Sequence, residues 1–151
     1  MVKLKSLHAT SEAAESAFYE ALEAGDLDAL MEVWSDDDEI VCIHPGGPRL
    51  VGHRAIAVSW REIMASGPIG VRPGAPQILT ASLVAVHTTL SQVTAHVRAE
   101  GSRLSRAVAA NVLVTHVFFK GAQGWRMVLH HASVTPEDAD PIPMPQTGTL
   151  H

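Results

Sequence analysis

The order of hydrophobic patterns predicts an α+β domain, with helices first and an antiparallel sheet after them. Three observations carry this. Apolar residues recur at helical spacing from Ala14 to Trp34 and again after His53. From Gln77 to Ser133 β-branched residues are dense and helix caps vanish. Glycine breaks at Gly101-Ser102 and at Gly121-Ala122-Gln123-Gly124 join the later segments as hairpins.

Ala14, Ala17, Phe18, Ala21 and Leu22 form one apolar helical face. Gly25 can take the left-handed conformation that closes that helix. Asp26 is then suited to cap a second helix running to Trp34. Leu27, Leu30, Met31 and Trp34 are its core face. Asp36-Asp37-Asp38-Glu39 reads as a solvated turn, because negative charge is unfavourable at a helix C-terminus. Ile40 to Ile43 reads as a buried strand, broken by His44-Pro45-Gly46-Gly47-Pro48. A third helix is expected over about 53–66, with Ile56, Ser59, Trp60, Ile63 and Met64 inside. Gly67-Pro68 ends it, and a loop follows to Pro76. Four long strands are expected at 77–87, 90–100, 106–119 and 125–134. The expected domain is 1–135, followed by a poorly ordered, proline-rich tail over 136–151.

Composition narrows the function. A chain of 151 residues is one domain by size, and 46% hydrophobic residues suit a buried core. The net charge of -5 argues against a nucleic-acid partner. Arg98, Arg103 and Arg106 are the only close basic trio and read as a solvated hairpin. Cys42 is the single cysteine, so no internal disulfide is possible. No apolar run follows Lys3 and Lys5, and no stretch of ~18 apolar residues occurs. A cytoplasmic protein without membrane contact is expected. A curved sheet wrapped over helices leaves a cone open at one end, a common small-molecule site.

Several segments together resemble a known superfamily. They are FYEALEAGDLD from Phe18 to Asp28, Trp34-Ser35-Asp36-Asp37, His44-Pro45-Gly46, Leu50-Val51-Gly52 and Thr115-His116-Val117-Phe118. The most diagnostic is Gly124-Trp125-Arg126-Met127-Val128-Leu129-His130-His131-Ala132-Ser133. In order and spacing these resemble the nuclear transport factor 2-like superfamily, especially its SnoaL-like and ketosteroid-isomerase-like bacterial members. The resemblance covers about residues 11–135. It implies a cystatin-like α+β cone, three helices packed on a curved antiparallel sheet, a cavity between them, and a homodimer through the outer sheet. It also implies a chemical comparison. Steroid isomerases of this fold use a Tyr and two Asp, and those positions fall at Phe18, His44 and Thr115. None of the three types is kept, so steroid isomerisation is not expected.

The candidate site follows. His44 and His131 are the candidate acid–base residues, since an imidazole titrates near neutrality. For His44 the alternative is a structural histidine bonding its turn, and for His131 a satisfied core histidine. Strict two-residue alternation groups His131 with Trp125, Met127, Leu129 and Ser133. The resemblance implies that this face turns to the cavity, and His130 then points outward. On the preceding strand it groups Thr115 with Asn111, Leu113, Val117 and Phe119. The outer face then carries Val108, Ala110, Val112, Val114, His116 and Phe118. Phe18, Trp34, Trp60, Asn111, Thr115, Val117, Leu129 and Ser133 are the expected ligand-binding residues. No histidine pair has in-strand or in-helix metal spacing, so neither a metal nor another cofactor is expected. Cys42 shares a face with His44 and reads as a small buried hydrophobe. The expected function is binding of a hydrophobic small molecule. The alternatives are an isomerase, cyclase or hydrolase using His44 or His131, and a homo-oligomerisation module.

Overall fold

A computed structural model describes residues 8–98, 101 and 105–135, with the side chains of 97, 98 and 105 left aside. Helix α1 spans Ser11–Ala24, α2 Leu27–Val33 and α3 His53–Met64. The strands are β1 Val41–Ile43, β2 Arg49–Val51, β3 Gly70–Pro73, β4 Gln77–Thr80, β5 Val84–Arg98, β6 Ser105–Gly121 and β7 Gly124–Val134. The proline-rich tail and the Arg103 portion of the basic trio lie outside the described residues.

The helix boundaries follow from local chemistry. Thr10 caps α1, its side chain accepting from the Ala13 N–H at 3.0 Å. Gly25 ends α1 at φ 65°, and its N–H returns to the carbonyls of Ala21 and Leu22. Asp26 caps α2 by accepting from the Ala29 N–H at 3.0 Å.

One seven-stranded sheet runs β2-β1-β7-β6-β5-β3, with β4 also paired to β5. It is antiparallel except where β1 lies parallel to β7. β3 and β4 share one edge of the long β5, covering it in succession. The expected break at Thr88-Thr89 is not made: both residues pair with β6 inside a continuous strand, and the chain turns at 81–83 instead. The segment expected as loop before Pro76 contains β3, and Leu50 belongs to β2. Both are strands of only three or four residues, too short for periodicity to declare them.

The core lies between the concave sheet face and the helices. Phe18, Leu30, Trp34, Ile56, Phe118 and Met127 are at its centre, each essentially inaccessible to water. The arrangement is α+β, with three helices packed on one sheet, as the superfamily resemblance implies.

A bulge decides which residues of β7 face inward. Val117 pairs with Leu129, yet its neighbour Phe118 pairs with Met127. Val128 is therefore an extra residue, and the alternation changes phase across it. Trp125 and Met127 are buried before it, and His130 and Ala132 after it. His131 and Ser133 are exposed.

Candidate functional site

The concave face carries a chain of buried polar side chains that starts on α1. Glu15 follows Ser11 by four residues and precedes Phe18 by three, so all three share the helix face turned to the sheet. Buried carboxylates are rare unless paired. Here His116 Nδ1 lies 2.8 Å from Glu15 Oε2. His87 Nδ1 lies 3.0 Å from the same oxygen, and His87 Nε2 is 2.9 Å from Ser11 Oγ. His87 and His116 are register partners on β5 and β6, which brings both rings to one carboxylate. Burial alone would raise the Glu15 pKa. The hydrogen bond from His116 and the neighbouring His87 outweigh it and hold the carboxyl at about 2.

The chain continues across the sheet. His116 Nε2 lies 2.8 Å from His130 Nδ1. Burial lowers the pKa of His116, and it lowers that of His130 well below the usual value, with neighbouring histidines adding to the effect. With both rings neutral, the carboxylate fixes the order of protons along the series. The Glu15 carboxylate only accepts, so His116 Nδ1 carries the proton. His116 Nε2 then accepts, so His130 donates from Nδ1. His130 is left with an unprotonated Nε2.

That ring meets β1. Cys42 and His130 are register partners on the parallel strands, and His44 follows two residues beyond Cys42 on the same face. One nitrogen or sulfur atom from each of Cys42, His44 and His130 lies within 4.8 Å of the other two. Cys42 Sγ is 3.7 Å from His44 Nε2. Ser59 donates to the Ile56 carbonyl at 2.7 Å, so its oxygen accepts from His44 Nε2–H at 2.9 Å. His44 is half-buried, and burial lowers its pKa. Burial pushes the Cys42 thiol up to about 12.

Aromatic rings hold this array. Phe18 packs on His116 with ring centres 5.1 Å apart and on His130 at 5.4 Å. Trp60 meets His44 edge-on at 4.6 Å and His130 at 5.4 Å. Tyr19 borders His116, and burial and then the Glu15 charge raise its hydroxyl to about 12. An open cleft of about 820 Å³ lies outside, lined by Asp38, Leu50, His53, Val58, Ser59 and Glu62 among others. Ser59 belongs to both regions, lining the cleft and bonding His44.

The expected site is brought together only in part. Phe18, Trp34 and Trp60 are buried in the core, and His44 joins the polar cluster. The expected facing of His131 is corrected: its side chain is exposed, and His130 occupies the inner position because Val128 shifts the alternation. Leu129 and Ser133 move to the outer face for the same reason. On β6 the expected phase is also reversed. Val112, Val114, His116 and Phe118 are buried, whereas Leu113 and Phe119 are exposed. Asn111, Thr115 and Val117 share the outward set and are half-buried. Both faces of β6 carry apolar residues, so periodicity could not choose between them. Glu15, His87, His116 and His130 were missed. An acid within an apolar helical stripe was the available signal for Glu15. The exposed acidic turn at 36–39 agrees with its reading.

The comparisons agree with this architecture. The SnoaL-like domain family model matches residues 12–137. The chain belongs to the SnoaL-like domain family, within the nuclear transport factor 2-like superfamily. It is similar to a provisionally named calcium/calmodulin-dependent protein kinase type II association domain from Thiobacillus denitrificans. That match has 35% identity over 86% of this chain and 98% of the other, with TM-score 0.72. A provisionally named dehydratase of the NTF2-like family from Streptomyces avermitilis is 28% identical. It covers 82% of this chain and 93% of the other, with TM-score 0.72. An NTF2-like superfamily protein from Salmonella enterica is 20% identical over 85% of this chain and 91% of the other, with TM-score 0.72, and shares the fold. The comparison with curated proteins gives no match. Among the described residues no helix is long and apolar enough to cross a membrane.

Proposed function

We propose that the protein binds a small, largely apolar molecule at the Ser59–His44 mouth and performs acid–base chemistry on it. The observation carrying this is the unbroken series Glu15–His116–His130, with two contacts of 2.8 Å. With neutral rings such a series fixes one tautomer and leaves an unprotonated nitrogen at its far end, placed to accept a proton. His44 presents a donor, and His130 presents an acceptor. One nitrogen can take a proton from carbon while the other delivers one to a leaving or receiving atom. That pairing suits dehydration or isomerisation, and the dehydratase name of the Streptomyces protein is in keeping with it. His44 is retained from the sequence reading as an acid–base residue, and His130 takes the role expected of His131.

The test is hydrogen exchange into a panel of small ketones and β-hydroxy carbonyl compounds, followed by NMR in heavy water. Wild type should exchange the acidic C–H protons of at least one compound faster than buffer. His44→Gln and His116→Gln should each slow it by about 10²–10⁴-fold, and His131→Ala should leave it unchanged. Wild-type rates equal to buffer across the panel, or full activity in both variants, would remove the reading.

A second proposal concerns assembly. The convex face carries paired apolar residues: Val84 beside Phe119, Val86 beside Val117, and Leu90 beside Leu113. Leu113 is 51% exposed and Phe119 46%. We propose that a second copy covers this face, giving a homodimer.

A further inference from the structure

We infer that Cys42, His44 and His130 form a binding site for a divalent cation of the zinc class, with the Cys42 sulfur and one nitrogen from each histidine as ligands. The inference goes beyond the acid–base reading, with which it shares His44, His130 and the Glu15–His116–His130 series.

The donor set is the first argument. One thiolate and two imidazoles select zinc over the hard cations, which prefer oxygen. The spacing is the second. Tetrahedral zinc, with bonds of about 2.3 Å to sulfur and about 2.0–2.1 Å to nitrogen, sets its S and N ligands about 3.5 Å apart. Cys42 Sγ and His44 Nε2 are already 3.7 Å apart. The longest separation allowed within the trio is 4.8 Å, so small side-chain rotations complete the geometry.

Support around the trio is the third argument. Cys42 and His130 sit opposite each other on hydrogen-bonded strands, so the sheet sets their separation. Metal-binding histidines usually donate their second N–H to an acceptor that fixes the ring. His130 has such a contact: its Nδ1 lies 2.8 Å from His116 Nε2, and His116 Nδ1 lies 2.8 Å from Glu15 Oε2. Its free Nε2 is the nitrogen a metal needs. His44 would exchange its Nε2–H bond to Ser59 for the metal and carry its proton on Nδ1. Cys42 would release its thiol proton to solvent as the sulfur–metal bond forms. The fourth coordination position would then lie toward Ser59 and the cleft.

Without metal, the same cysteine is a small buried group packed beside Trp60 and the two rings. Cobalt titration of the 151-residue chain separates the two states. The protein is stripped with a chelator, reduced, and titrated with Co²⁺ under inert gas. Because Cys42 is the sole cysteine, a sulfur-to-cobalt charge-transfer band reports this site and no other. The expected result is one equivalent of tetrahedral Co²⁺ with that band, displaced by Zn²⁺. Cys42→Ser should abolish the band. His44→Gln, at a half-exposed position where folding is least at risk, should weaken binding by at least about 10-fold, and so should His116→Gln. His131→Ala should bind as wild type does. No band in reduced wild type, or an equal band and affinity in His44→Gln, would overturn the site. Heavy-water exchange by the stripped protein tests the acid–base reading separately, so either proposal can fail alone.

Discussion

A single histidine shows how placement changes chemistry. His130 and His131 are adjacent, yet one is buried among rings and the other faces water. Burial lowers the pKa of His44, His116 and His130 from the ordinary 6.5. The unfolded chain then binds more protons than the folded one below pH 6.5, so stability falls as pH drops from that point. Each proton taken up on unfolding contributes a slope of about 1.4 kcal/mol per pH unit. Glu15 acts in a lower window. Its contribution is present above the unfolded value of 4.5 and lost as pH falls toward about 2. Calorimetry from pH 8 to 5 should show the melting temperature falling below 6.5, and His130→Gln should reduce the slope. A melting temperature constant over that range would contradict neutral buried histidines.

At the scale of elements, most boundaries were legible because local chemistry sets them. The Gly25 left-handed closure and the Asp26 cap both stand where side-chain type places them. Asp26→Ala removes the bond to the Ala29 N–H and should cost about 1 kcal/mol, measured by urea unfolding. A loss below a few tenths would mean that packing alone holds α2. Strand phase was not legible. Nothing in Arg126-Met127-Val128-Leu129 marks Val128 as the extra residue, since all but Arg126 are apolar. A bulge is defined by the partner strand, and one extra residue exchanges His131 for His130 at the site.

For the whole molecule, the corrected phase of β6 also corrects the surface offered to a partner. Val114 is buried, so a charge there would disrupt the core and not report on association. Leu113 is the outward residue. A homodimer covering the convex face should appear in light scattering at micromolar concentration, and Leu113→Glu should shift it toward monomer by burying a charge beside an apolar symmetry mate. A monomeric wild type would end that proposal, as would a variant that remains fully dimeric.

The sequence by itself determined the α+β class, the three helices, the Gly25 closure, the Asp26 cap and the superfamily, because these rest on periodicity, capping chemistry and motif order along the chain. It also singled out Phe18, Trp34, Trp60 and His44, whose positions follow from helical stripes and a strand end. Only the tertiary structure decided the site. Glu15, His87, His116 and His130 come from α1 and three different strands, and Cys42 meets His130 through a parallel pairing of sequence-distant segments. Their chemistry depends on which atoms face one another across the sheet. Long-range register sets that arrangement, and no local pattern in the chain encodes it.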